Sequence, residues 1–139
     1  MIRRMPAIAA TVLALGAAPA VASPCGPVDG PATDNISAFE QAFLDQDWGA
    51  VGATMPMFDP AMVDGMVEQF RTIGVPFTSC ETVYAGHLAP HIYSRATIYY
   101  VETGVGLMTY LDIATMQGET NIVNVQATAT FTELMDLIK

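Results

Sequence analysis

The sequence predicts an α+β domain, with N-terminal helices packed on a curved, four-stranded antiparallel meander and a short C-terminal helix. Three observations point there. Apolar residues recur at helical spacing between Ile36 and Ile73, and residues 77–129 fall into segments rich in Thr, Val, Ile and Tyr. Only short Gly- or Pro-containing joints separate those segments, which implies antiparallel neighbours.

The chain opens with Met1-Ile2-Arg3-Arg4, an apolar run over residues 7–18, and small residues at Ala20 and Ala22. That is the pattern of a cleavable secretory signal, with cleavage expected after Ala22. The run is short of the roughly 20 apolar residues that span a bilayer. Later apolar runs are broken by charge, Gly or Pro, so no membrane span is expected. Pro24 precedes Cys25 where a lipid-modified cysteine needs a small Gly, Ala or Ser, so lipidation is not expected either.

Removing 22 of the 139 residues leaves 117, a normal size for one domain. Residues 1–22 are thus read as signal, 23–33 as an irregular Pro- and Gly-rich lead-in, and 34–139 as the domain. Arg3 and Arg4 leave with the signal, which takes the formal charge from −9 to −11. A surface this acidic repels phosphate backbones and excludes nucleic-acid binding. The two cysteines, Cys25 and Cys80, are expected to pair in an oxidising compartment, the periplasm or outside the cell. No Cys-x-x-Cys spacing points instead to redox or metal-binding thiols.

The helices follow in order. Ser37 and Glu40 have the spacing of a capping box, and Ile36, Phe39 and Phe43 keep the period up to an end near Asp45-Gln46-Asp47. Trp48, Val51 and Met55 form a second, short stripe stopped by Pro56. Asp59 and Pro60 open a third helix, whose period runs through Val63, Met66, Val67, Phe70 and Ile73 to Gly74 and Pro76. Strands are expected over residues 77–85, 92–101, 105–114 and 121–129. In the third, Val105, Leu107, Thr109, Leu111 and Ile113 make the face turned to the helices, and Met108, Tyr110 and Asp112 the other. Thr130 and Glu133 suggest a second capping box before the last helix.

The run Phe39-Glu40-Gln41-Ala42-Phe43-Leu44-Asp45-Gln46-Asp47-Trp48 resembles the opening helix and acidic turn of nuclear transport factor 2-like (cystatin-like cone) domains. The likeness extends in layout over residues 34–129. It implies a bent sheet wrapped on a helix with a cavity at the mouth of the cone. Members include isomerases, dehydratases, assembly modules and secreted domains. The chain departs from the pattern in lacking a Trp after Gly118 and in adding a helix after the last strand.

Candidate chemistry is sparse. The resemblance implies an acid and a phenol as a catalytic pair, and Tyr110 with Asp112 would supply them, although their face is the less apolar one. His87 and His91, read as lying in a hairpin turn over residues 86–91, would need carboxylates nearby to hold a metal. Met55, Met57, Met62 and Met66 invite copper(I); Met55 and Met66 fit core stripes, which leaves Met57 and Met62 to carry that idea. Gly104-Val105-Gly106 has no helix after it and is not a nucleotide loop, and Ser37, Ser79 and Ser94 stand outside any nucleophile motif. The expectation is a domain without cofactor that binds a small apolar ligand or a protein partner, or pairs as a homodimer. The alternative is an isomerase or hydrolase with its site in the cone.

Overall fold

The structure, a computed structural model, describes residues 23–28 and 30–139; the signal segment lies outside them. Their elements are a 3-10 turn at Gly30–Ala32, then α1 (Thr33–Leu44), α2 (Trp48–Ala53) and α3 (Pro60–Arg71). The strands follow as β1 (Ser79–Ala89), β2 (Ile92–Val101), β3 (Gly104–Met116) and β4 (Glu119–Thr128), before α4 (Phe131–Ile138). The sheet is an antiparallel meander in the order β1-β2-β3-β4. The α+β class is as expected.

The acidic turn does two jobs. Gln46 adopts a left-handed φ of 55°, and the amides of Gln46 and Asp47 return to the carbonyls of Phe43 and Ala42 at 3.1 and 2.9 Å, ending α1 in a Schellman turn. Asp47 then accepts from the Ala50 amide to start α2. Asp59 caps α3 in the same way through Ala61, with Pro60 in the first turn.

The capping box at Ser37 does not form. The helix already begins at Thr33, where the Thr33 hydroxyl donates to the Gly30 carbonyl, so Ser37 and Glu40 are interior to α1. The Ser37 hydroxyl is buried without a partner among the described residues, and Glu40 points into the core. The second box also fails. Thr130 makes no side-chain cap, and Glu133 instead accepts from the Thr128 hydroxyl, which itself accepts from the Thr130 amide.

The first hairpin differs most. Residues 86–89 are strand, not turn, so β1 runs to Ala89 and reverses over Pro90-His91 alone. Gly86 does not break the strand: two register shifts, after Thr82 and after His87, let β1 carry on through it. The last hairpin turns through Gln117 and Gly118, both at positive φ as a type I′ turn requires.

Alternation divides the sheet into two faces. Tyr93, Tyr99, Leu111, Ile113, Ile122 and Val125 pack with the first three helices. Phe43 is the hub there, with the rings of Phe39, Trp48, Phe70, Phe77 and Tyr99 centred 4.6 to 5.7 Å away. Ala96, Ile98, Met108 and Tyr110 face the other way and are covered by Leu134 of α4. The helices therefore occupy both faces, α4 on the one opposite α1. Cys25 and Cys80 are disulfide-bonded with Cα atoms 4.9 Å apart, tying the lead-in to β1.

Candidate ligand-binding cleft

Three groups of polar side chains compete for a functional role, and their surroundings separate them. The first sits in the core. Arg95 and Glu40 are both completely buried, with Arg95 Nε 2.6 Å from Glu40 Oε1 and a second guanidinium nitrogen 3.2 Å from Oε2. The guanidinium also donates to the carbonyls of Pro27 at 2.8 Å and Gly26 at 3.2 Å. Thr97 and Ser23 donate their hydroxyls to the same carboxylate. Burial raises the Glu40 pKa, opposed by the Arg95 guanidinium and the Thr97 hydroxyl.

Every nitrogen and oxygen at the heads of this pair is therefore bonded to protein, and what the pair holds is the lead-in. The Thr82 amide and hydroxyl both donate to the Cys25 carbonyl, at 3.0 and 2.7 Å, completing the clasp. Beyond it lies Tyr99, whose hydroxyl is fully buried and, among the described residues, makes no well-formed hydrogen bond; the neighbouring Thr109 hydroxyl is equally unpaired. Its pKa is raised well above the ordinary value by burial and then by the Glu40 charge. A carboxylate and a phenol do lie against the inner face, but no solvent or substrate reaches them.

The second group is Tyr110 and Asp112. They lie on the face covered by α4, as the alternation implied. Asp112 accepts from the Ser94 hydroxyl at 2.6 Å and from the Asn124 amide at 2.9 Å, a knot across three strands. Burial raises the Tyr110 pKa. Ser94 is thereby committed to Asp112, and Ser79 lies exposed at the start of β1.

The third group is open. A cleft of about 360 Å3 lies at the end of the sheet where β1 turns into β2. Its walls are the 3-10 turn (Gly30, Pro31, Ala32), His87, the Pro90-His91 turn, Tyr93, Ile113 and Thr115. Ala32, Tyr93 and Ile113 are buried and form an apolar floor, whereas His87 and His91 are exposed at the rim. His87 faces Tyr93 in the register, its ring edge-on at 5.5 Å between centroids. The turn is pinned to β3 by the Thr115 amide, which donates to the His91 carbonyl at 2.9 Å. The strand extension beyond Gly86 is what brings the two histidines to one rim.

The histidines are not joined by the ligands a metal would want: among the described residues no three His, Cys, Asp or Glu side chains gather. Met57 and Met62 are exposed on the α2–α3 connection and the first turn of α3, and neither lines the histidine cleft. Met55 is buried as its stripe implied. A second cleft of about 390 Å3 between α2 and α3 is walled partly by Asp64 and Arg71.

Sequence reasoning missed Arg95, Tyr93 and Thr115. For Arg95 a signal existed: it is a lone charge in the apolar strand sequence Ile92-Tyr93-Ser94-Arg95-Ala96-Thr97-Ile98, which requires a buried partner. No family model, curated protein or solved structure matches the chain. The class that fold and site define is a disulfide-tied α+β domain with a sealed ionic core and one apolar cleft rimmed by histidines. Among the described residues no helix is long and apolar enough to cross a membrane.

Proposed function

We propose that the chain is a periplasmic or secreted domain of the nuclear transport factor 2-like type. On this reading it binds a small apolar ligand in the cleft between the 3-10 turn and the β1–β2 hairpin and performs no chemistry on it. The observation that carries this is the contrast between a filled inner face and an open cleft with a buried apolar floor and a polar rim. About 300–1,000 Å3 is the usual size range of small-molecule sites, with the same division between apolar lining and a few polar groups. A disulfide is in keeping with export, since such bonds persist in oxidising compartments.

Octanol, an uncharged apolar probe, titrated into the isotopically labelled protein tests the site. Amide shifts are expected at Ala32, His87, His91, Tyr93, Ile113 and Thr115. Shifts scattered over the surface, or none up to the solubility limit, would overturn the reading. Native mass spectrometry of protein from the periplasm of an expressing bacterium, with a denatured control, reads any resident ligand, removal of residues 1–22 and the oligomeric state.

A protein partner is the second reading, favoured by exposed apolar side chains. Leu88 and Met116 stand 70% and 53% exposed on β1 and β3, and Phe131 stands 56% exposed on α4. A homodimer through one of these surfaces would register in the native mass.

A further inference from the structure

The charge distribution narrows the ligand class. Among the described residues, each Arg and Lys is already paired: Arg71 with Glu68 at 3.2 Å, Arg95 with Glu40, and Lys139 with Asp136 at 3.3 Å. Among the same residues His87 and His91 are in no ion pair, and both stand at the rim of the same cleft. The described lining contains no Asp, Glu, Lys or Arg; its titratable groups are the two imidazoles and the Tyr93 phenol. Glu119, opposite Met116 at the start of β4, is not part of the wall. In a chain of formal charge −9, this is a place where an anion meets two protonatable donors and, among the described residues, no lining carboxylate.

We propose that the cleft selects monocarboxylates, apolar molecules carrying a single anionic head. This rests on the cleft being the ligand site. The carboxylate lies at the rim against the His87 and His91 imidazoles, and the apolar body covers Tyr93 and Ile113. Neutral imidazoles each offer one N–H; protonated ones offer two and a charge. Protonation of the imidazoles therefore strengthens binding of the anion, while an uncharged probe of the same length gains nothing from it.

The test compares octanoate with octanol at pH 6 and pH 8, with the disulfide intact, reading dissociation constants from the same amide shifts. Octanoate is expected to bind about fivefold tighter at pH 6, as two rim ion pairs would give, and octanol to change less than twofold. The H87Q/H91Q double variant is expected to lose the pH dependence for octanoate, its octanol affinity at each pH being read alongside to normalise for any change in the cleft wall. Octanol binding accompanied by a flat octanoate profile would overturn this proposal and leave the apolar-ligand reading standing. A double variant that kept the full pH response would overturn it as well. Failure of both probes to bind would overturn the site and the selectivity together.

Discussion

The Glu40–Arg95 pair and the His87–His91 rim are both gatherings of ionisable side chains on the α1 side of the sheet, yet they stand in opposite settings. At the pair, both charges are withdrawn from water and every polar atom is committed: β2, α1 and the lead-in meet there. At the rim, the imidazoles are exposed above an apolar floor and, among the described residues, in no ion pair. The difference teaches how to separate structural from functional charge. A buried group whose bonding is complete can only hold the protein together. A group with free donors beside an apolar hollow can act on something that arrives.

That distinction fails if the buried pair proves dispensable. Arg95→Met leaves the Glu40 carboxylate without its counter-charge and the Gly26 and Pro27 carbonyls without a donor. The expected cost is about 3–5 kcal/mol at neutral pH, read by urea unfolding. The cost should shrink in acid. In the variant, burial alone keeps Glu40 protonated when folded, whereas the unfolded chain releases that proton near its ordinary pKa. The native state thus binds more protons, and stability falls as pH rises. A loss under about 1 kcal/mol would place the pair among merely tolerated charges.

The tightness of the sealed side is probed at Gly106, where β3 carries an extra residue opposite Tyr99 and Tyr100. A Cβ there would lie 2.7 Å from a Val101 methyl, 3.1 Å from the Phe77 ring and 3.2 Å from the Tyr99 carbonyl. Gly106→Ala is expected to cost about 1–3 kcal/mol through overpacking. An unchanged melting temperature would show the aromatic cluster to be looser than its geometry implies.

Tyr99→Phe should have the smallest effect and the opposite sign. It deletes a buried hydroxyl without a partner, so stability should hold or rise by up to about 1 kcal/mol. The parent should also lose stability above pH 10. The folded phenol keeps its proton there while the unfolded one ionises, so rising pH draws the chain toward unfolding. The variant should be less sensitive to alkali, as far as this residue sets it. A large destabilisation would mean that the Tyr99 and Thr109 hydroxyls bond to each other.

Much of the fold was legible because local signals agreed with the tertiary outcome. Ile36, Phe39 and Phe43 mark a helical stripe that is buried in full, and the alternation in β3 assigns Leu111 and Tyr110 to opposite faces. The errors share a cause. Ser37 with Glu40, Thr130 with Glu133, and Gly86 before Pro90 are short motifs whose meaning depends on which neighbour competes for the group. Arg95 out-competes a helix amide for Glu40, and Thr128 does so for Glu133. The cleft was half visible: both histidines were noted, but their convergence needed a β1 longer than its glycine suggested.

By itself the sequence determined the α+β class, the order of the elements, the pairing of the only two cysteines and the acidic surface, because period, composition and count are properties of the chain alone. Only the tertiary structure decided that Glu40 meets Arg95 across 55 positions of sequence, that the lead-in closes over them, and that His87, His91 and Tyr93 share a hollow. Burial and proximity between distant residues depend on packing and strand register, and a bulge or a two-residue turn resets that register without leaving a periodic trace.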